Sequence, residues 1–205
     1  MPRIGRKSAV DQLATGLLLA AAGRGPLLLR DYWGVIAGCR ATPRELIDIL
    51  RHRFWELVPP QYAGFRKLPD PEEPLRVGDE MEVHIRGAGT FKVRVVHVHR
   101  QSLTVATLPG HPEAGRITFG AYRNPHRDVV FHVRSRARAS SRIRYWGYLL
   151  GGEPMQTRTW GELISRVAIT TGDGVIGFVQ ATTRTVDEDD GDRRGTGPTF
   201  RAAGG

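Results

Sequence analysis

The chain has 205 residues, 40% of them hydrophobic, and a formal net charge of +9. That length suits one domain with a real core, and an apolar fraction of this size excludes a polytopic membrane protein. No run of about 18 uncharged apolar residues is present to span a bilayer. The lone cysteine, Cys39, excludes an intramolecular disulfide framework and a cysteine-rich zinc site.

Lysine occurs only at Lys7, Lys67 and Lys92, so 27 of the 30 basic residues are arginine, the side chain suited to planar, bidentate partners. Residues 1–29 open with Arg3, Arg6 and Lys7 ahead of the apolar run 13–22. That order imitates a secretory leader, whereas Asp11 and Gln12 at its mouth and Gly16 within it favour an amphipathic N-terminal helix or arm. Asp31 to Gly38, rich in aromatic and β-branched residues, predicts a short strand. Thr42, Pro43 and Glu45 then form a helix start. Leu46, Ile47, Leu50, Phe54, Leu57 and Val58 follow at helical spacing until Pro59-Pro60 stops them. Gln61 to Lys67 is expected to add a short second helix, before Pro69, Pro71 and Pro74 mark a loop or linker.

Five strands come next. Met81, Val83 and Ile85 alternate with polar residues, and Gly87-Ala88-Gly89 turns the chain into Phe91, Val93 and Val95. Leu103, Val105 and Thr107, then Ile117, Phe119 and Ala121, then Val129, Phe131 and Val133 repeat the pattern between short connections. Such connections predict an antiparallel meander with one apolar face to cover. Trp160, Leu163, Ile164, Val167, Thr171, Val175, Phe178 and Val179 predict a long amphipathic helix as that cover. Thr171-Gly-Asp-Gly174 interrupts it, with a kink or a second element as the consequence. Residues 186–205, rich in Gly and Asp, read as a disordered acidic tail. The expected division is therefore an arm over 1–29, a domain over 30–185 and a tail over 186–205.

Strand, helices, meander and a final long helix make an α+β arrangement. It is similar to the helix-grip fold of the pollen-allergen, lipid-transfer and polyketide-cyclase superfamily, in which a curved antiparallel sheet holds the C-terminal helix and leaves a cavity. Thr107-Leu-Pro-Gly-His-Pro-Glu-Ala-Gly115, set between two strands, more specifically resembles the signature loop of the domain of unknown function nineteen-ninety family. The likeness extends over residues 31–180 and departs at Arg116 and Ile117, where the family carries two acids. It implies a fold more than a reaction.

Three constellations bear on chemistry. The loop 107–115 holds His111 and Glu113 two residues apart, either at the rim of a cavity or within a plain rigid turn. His97 and His99 fall on the inner side if alternation from Phe91 is strict, and on the outer side if Val95-Val96 forms a bulge. Two histidines without a third ligand at any recognisable spacing give no metal site. Arg134, Arg136 and Arg138 project from one face, followed by Arg142, Arg144, Tyr145, Trp146 and Tyr148. That mixture suits single-stranded nucleic acid, or simply the solvent face of an outer strand. No nucleophile elbow, phosphate loop or dinucleotide fingerprint occurs, so no cofactor is expected.

The expectation is a cytoplasmic protein that binds a small apolar or amphipathic molecule, lipid- or polyketide-like, between its sheet and last helix. Phe91, Val93, Phe119, Phe131, Trp160 and Ile164 are the expected lining, with His111 and Glu113 at the entrance. A cyclase or hydratase using a cavity histidine, and a nucleic-acid module using the arginine-rich segment 134–144, are the alternatives.

Overall fold

The computed structural model describes residues 16–68, 73–140 and 142–186, with backbone alone for 142–154. The expectations for 1–15, for Pro69 and Pro71, for the tail beyond 186 and for the side chains of Arg142 to Tyr148 lie outside the described residues.

Among the described residues, after a single 3-10 turn at Ala20–Ala22, eight strands and two α-helices follow in the order β1 (Arg24–Ile36), α1 (Pro43–Leu57), β2 (Ala63–Leu68), β3 (Glu80–Ile85), β4 (Gly89–His99), β5 (Ser102–Thr107), β6 (Glu113–Arg123), β7 (Val129–Ala139), α2 (Arg142–Thr171) and β8 (Gln180–Val186). One antiparallel sheet runs β2-β3-β4-β5-β6-β7-β1-β8. It curves around the helices, the arrangement expected from the sequence. Each meander strand lies beside its predecessor because its loop is short.

α1 begins as its sequence dictates. The Thr42 hydroxyl accepts from the Glu45 amide, and the Glu45 carboxylate accepts from the Thr42 amide at 2.8 Å. The Thr42 amide, and the Thr42 hydroxyl that donates to the same carboxylate at 2.9 Å, hold the Glu45 carboxyl below the usual carboxylate range. Leu46, Ile47, Leu50, Phe54 and Leu57 are buried on the sheet side.

Three elements depart from expectation. Gln61 to Lys67 does not form a helix. From Ala63 it is an edge strand, with Arg66 in register with Glu82 and joined to it by an ion pair. Pairing with β3 supplies hydrogen bonds that a six-residue helix would leave unmade at its ends. β1 starts at Arg24, seven residues before Asp31, and pairs on both sides, with β7 and β8. α2 stops at Thr171, so Val175, Phe178 and Val179 are not on it. A Cβ at Gly172 would lie 2.4 Å from the Ala37 carbonyl oxygen, so the chain passes too close to β1 there for any larger residue. Val175 then bridges Ile36, and β8 extends the sheet beyond β1.

α2 lies on β1 and β7, and α1 on β5, β6 and β7, so both helices share the concave face. Gly34 is the seat of α2, since a Cβ there would stand 2.9 Å from Ile164 Cγ2. Among the described residues no helix is long and apolar enough to cross a membrane.

Candidate functional site

The concave face is incompletely filled. Between the sheet and α2 lies a cavity of about 580 Å³, within the size range of small-molecule sites. Its apolar wall is built by strand alternation. Phe65 from β2, Val83 and Ile85 from β3, Phe91 and Val93 from β4, Val105 from β5 and Ile117 and Phe119 from β6 all point inward. Met155 and Trp160 close it from α2. Phe119 anchors the wall, with the Trp160 ring 5.6 Å and the Phe54 ring 5.1 Å away, both edge-on.

Of the eight residues singled out from the sequence, Phe91, Val93, Phe119, Trp160, His111 and Glu113 line this cavity. Phe131 and Ile164 do not. Both are fully buried in the filled core, Phe131 in register with Gly34 and Ala121, and Ile164 against Gly34. Period-two alternation names the side of the sheet that Phe131 faces, and helical spacing the side of α2 that carries Ile164, but neither fixes the position along the element.

A cluster of polar groups borders the cavity where β6 begins. The Glu113 side chain, at the start of β6, accepts from the Gln156 amide of α2 at 2.7 Å and lies 3.5 Å from the Arg30 guanidinium. The Arg30 side chain is fully buried, whereas that of Glu113 keeps 14% of its surface exposed. Arg30 is not among the lining residues, so the carboxylate is the charged end of the pair that meets the cavity. Sequence reasoning missed Arg30 because β1 was begun at Asp31. Gln156 carried no signal, lying among residues without clear helical pattern.

His111 sits on the β5–β6 loop, 7% exposed, with its ring 5.5 Å from that of Phe91. Its Nδ1 lies 3.0 Å from both the backbone nitrogen and the carbonyl oxygen of Glu113. The loop's own backbone therefore orients the imidazole while the ring borders the cavity. Thr107 ties the same loop to the N-terminal segment, accepting from the Gly115 amide at 3.0 Å and donating to the Leu18 carbonyl at 2.8 Å.

The other histidines in and beside the sheet lie away from this site. Val95 pairs with Val105 but His97 with Thr104, so Val96 is an extra residue and the strand is bulged. The bulge turns His97 and His99 to solvent, where their rings stack 6.3 Å apart. Among the described residues no group of three or more histidine, cysteine, aspartate or glutamate side chains is placed to hold a metal. His132 is buried on the convex face, and burial, reinforced by the Arg134 charge and opposed by Asp31, lowers its pKa to about 4.

Arg134, Arg136 and Arg138 alternate with buried Ser135 and Ala137 and so share the convex face. Arg134 is ion-paired with Asp31 on β1, and Arg136 stands opposite Arg116 on β6. The arginine row is thus on the far side of the sheet from the cavity.

Two solved structures show the same architecture. The chain is similar to a hypothetical protein, jhp0584, from Helicobacter pylori, with a TM-score of 0.51 at 8% identity over 69% of this chain and 86% of that one. It is also similar to norcoclaurine synthase from Thalictrum flavum, solved with dopamine and hydroxybenzaldehyde, with a TM-score of 0.51 at 10% identity over 83% of this chain and 95% of that one. At such identities the likeness concerns the fold alone, the helix grip that norcoclaurine synthase represents. No curated protein matches the chain in sequence. Residues 51–166, more than half of the chain, match the model of a domain of unknown function, DUF1990. The protein is therefore a helix-grip member of the DUF1990 family.

Proposed function

We propose that the protein binds a small apolar or amphipathic molecule, lipid- or polyketide-like, in the cavity between the sheet and α2. The supporting observation is about 580 Å³ of space inside a domain whose interior would otherwise pack as densely as an organic crystal. The lining chemistry agrees, since aromatic and β-branched side chains dominate, with His111, Glu113 and Gln156 clustered among them.

Apolar burial alone gives weak binding. Covering roughly 300 Å² of apolar ligand surface contributes about 7 kcal/mol, and association costs at least about 4 kcal/mol. What is left corresponds to millimolar affinity, so tight binding needs the polar end as well. Native mass spectrometry of freshly purified protein, with thermal shifts against long-chain alcohols and multi-ring phenols, tests the reading. A retained small-molecule mass or a ligand-dependent rise in Tm supports it. Neither a retained mass nor any shift removes it.

A second reading, a cyclase or hydratase, draws on His111 as the histidine among the lining residues. It requires His111→Ala to abolish turnover with the fold intact.

A further inference from the structure

We propose that the cavity selects ligands whose polar end is a hydroxyl donor, read by Glu113, and disfavours ligands that end in a carboxylate. This deepens the cavity-binding reading and rests on it.

The inference comes from the order of charges at the polar end. Arg30 and Glu113 form a buried pair, and only the acceptor member borders the cavity. A ligand reaching that end meets a carboxylate held by Gln156 and backed by a guanidinium with no exposed surface. An ionised carboxylic acid there would stand beside Glu113 in a setting too dry to screen the repulsion. A hydroxyl would instead donate to the carboxylate, a charge-assisted hydrogen bond of the stronger kind. Ser135 and Thr159, which also border the cavity, are hydroxyl-bearing and uncharged.

Two arginines border the space, and neither reverses the preference. Arg86 lies in the exposed β3–β4 turn, where water screens it, and Arg116, in register with Arg136 and between inward Gly115 and Ile117, directs its side chain to the convex face. The ring systems of Phe65, Phe91, Phe119 and Trp160 suit an aromatic body behind the hydroxyl.

The test is a matched series of phenanthrene, 9-phenanthrol and phenanthrene-9-carboxylate, titrated by fluorescence at pH 7 against wild type, Glu113→Gln and the double variant Arg30→Met with Glu113→Leu. In wild type, 9-phenanthrol should bind about 10-fold or more tighter than phenanthrene, and the carboxylate weaker than 9-phenanthrol by at least about the same factor. Glu113→Gln should bring 9-phenanthrol and the carboxylate within about 3-fold of each other. The double variant Arg30→Met with Glu113→Leu, which removes the carboxylate without leaving a lone buried charge, should close the gap likewise and serves as the second variant should Glu113→Gln fail to fold. A carboxylate that matches 9-phenanthrol in wild type, or a gap unchanged in Glu113→Gln, overturns the proposal. If phenanthrene binds and the series shows no preference, the selectivity falls while the cavity reading stands. If none of the three binds, both fall.

Discussion

Acidification should destabilise this protein through His132 in an amount the structure sets. The residue is 7% exposed on β7, in register with Trp33 on β1 and Gly120 on β6, and its ring lies 5.8 Å from that of Tyr122. Burial is the main cause of a pKa of about 4 in place of 6.5; the Arg134 charge adds to it and the Asp31 charge opposes it. The folded value lies below the unfolded one, so the unfolded chain takes up the proton first as pH falls. The stability gained by keeping the ring neutral is fully present above about pH 6.5, lost progressively between 6.5 and 4, and gone below. The drop from 6.5 to about 4 converts to about 3 kcal/mol, or about 6–12 °C in Tm for a chain of this size. Urea unfolding of wild type and His132→Leu at several pH values between 7.5 and 4 isolates this contribution, because the carboxylates titrate alike in both. Wild type should lose about 3 kcal/mol relative to the variant across that range. Parallel stability curves would refute the burial argument.

Gly34→Val should cost about 1–3 kcal/mol by overpacking, because its Cβ would press on Ile164 at 2.9 Å and Val175 at 3.2 Å; an unchanged Tm by calorimetry contradicts the seating of α2. Arg30→Met should cost about 3–5 kcal/mol by leaving Glu113 without its buried partner. Arg30→Met with Glu113→Leu should recover much of that loss in urea unfolding, and a double variant as unstable as the single one contradicts the pairing. Thr42→Ala should cost about 1 kcal/mol by chemical denaturation, through loss of the hydroxyl that caps α1. No loss would mean that the cap contributes nothing in this context.

The elements legible in the sequence are those whose signals are local. Thr42, Pro43 and Glu45 name the start of α1 because capping needs only neighbours three residues apart. Met81, Val83 and Ile85 name β3 because a half-buried strand alternates in its own sequence. β8 had no such signal: Gln180 to Val186 is almost wholly exposed, and it is a strand only because β1 lies alongside. The same holds for β2, whose Phe65 is held by β3 on one side and by the Phe54 ring at 5.1 Å. In β1, Leu27 to Leu29 continue an apolar region that imitates a leader, and only the neighbouring strands turn it into sheet. For the site, six of the expected residues converge on one cavity, Phe91, Val93, Phe119 and Glu113 from the sheet, His111 from the β5–β6 loop and Trp160 from α2. Arg30 and Gln156 come from elements more than 100 residues apart in sequence, and nothing local announces that they meet at Glu113.

A single extra residue decides where the polar chemistry of the concave face sits. Without the bulge at Val96, alternation would carry His97 and His99 inward in line with Val93 and Val95, both buried at 5% or less. Each imidazole would then need a hydrogen-bond partner in an apolar wall, or cost about 1–3 kcal/mol for lacking one. With the bulge, both rings reach water and the β4 contribution to the cavity stays apolar, from Phe91 and Val93. Among the inward polar groups, His111, Glu113 and Gln156 cluster where β6 begins, with Arg30 behind Glu113. Under the proposed binding, an apolar body with one polar terminus would suit this cluster, since a ligand inserted the other way would bury its polar end against Phe119 and Trp160.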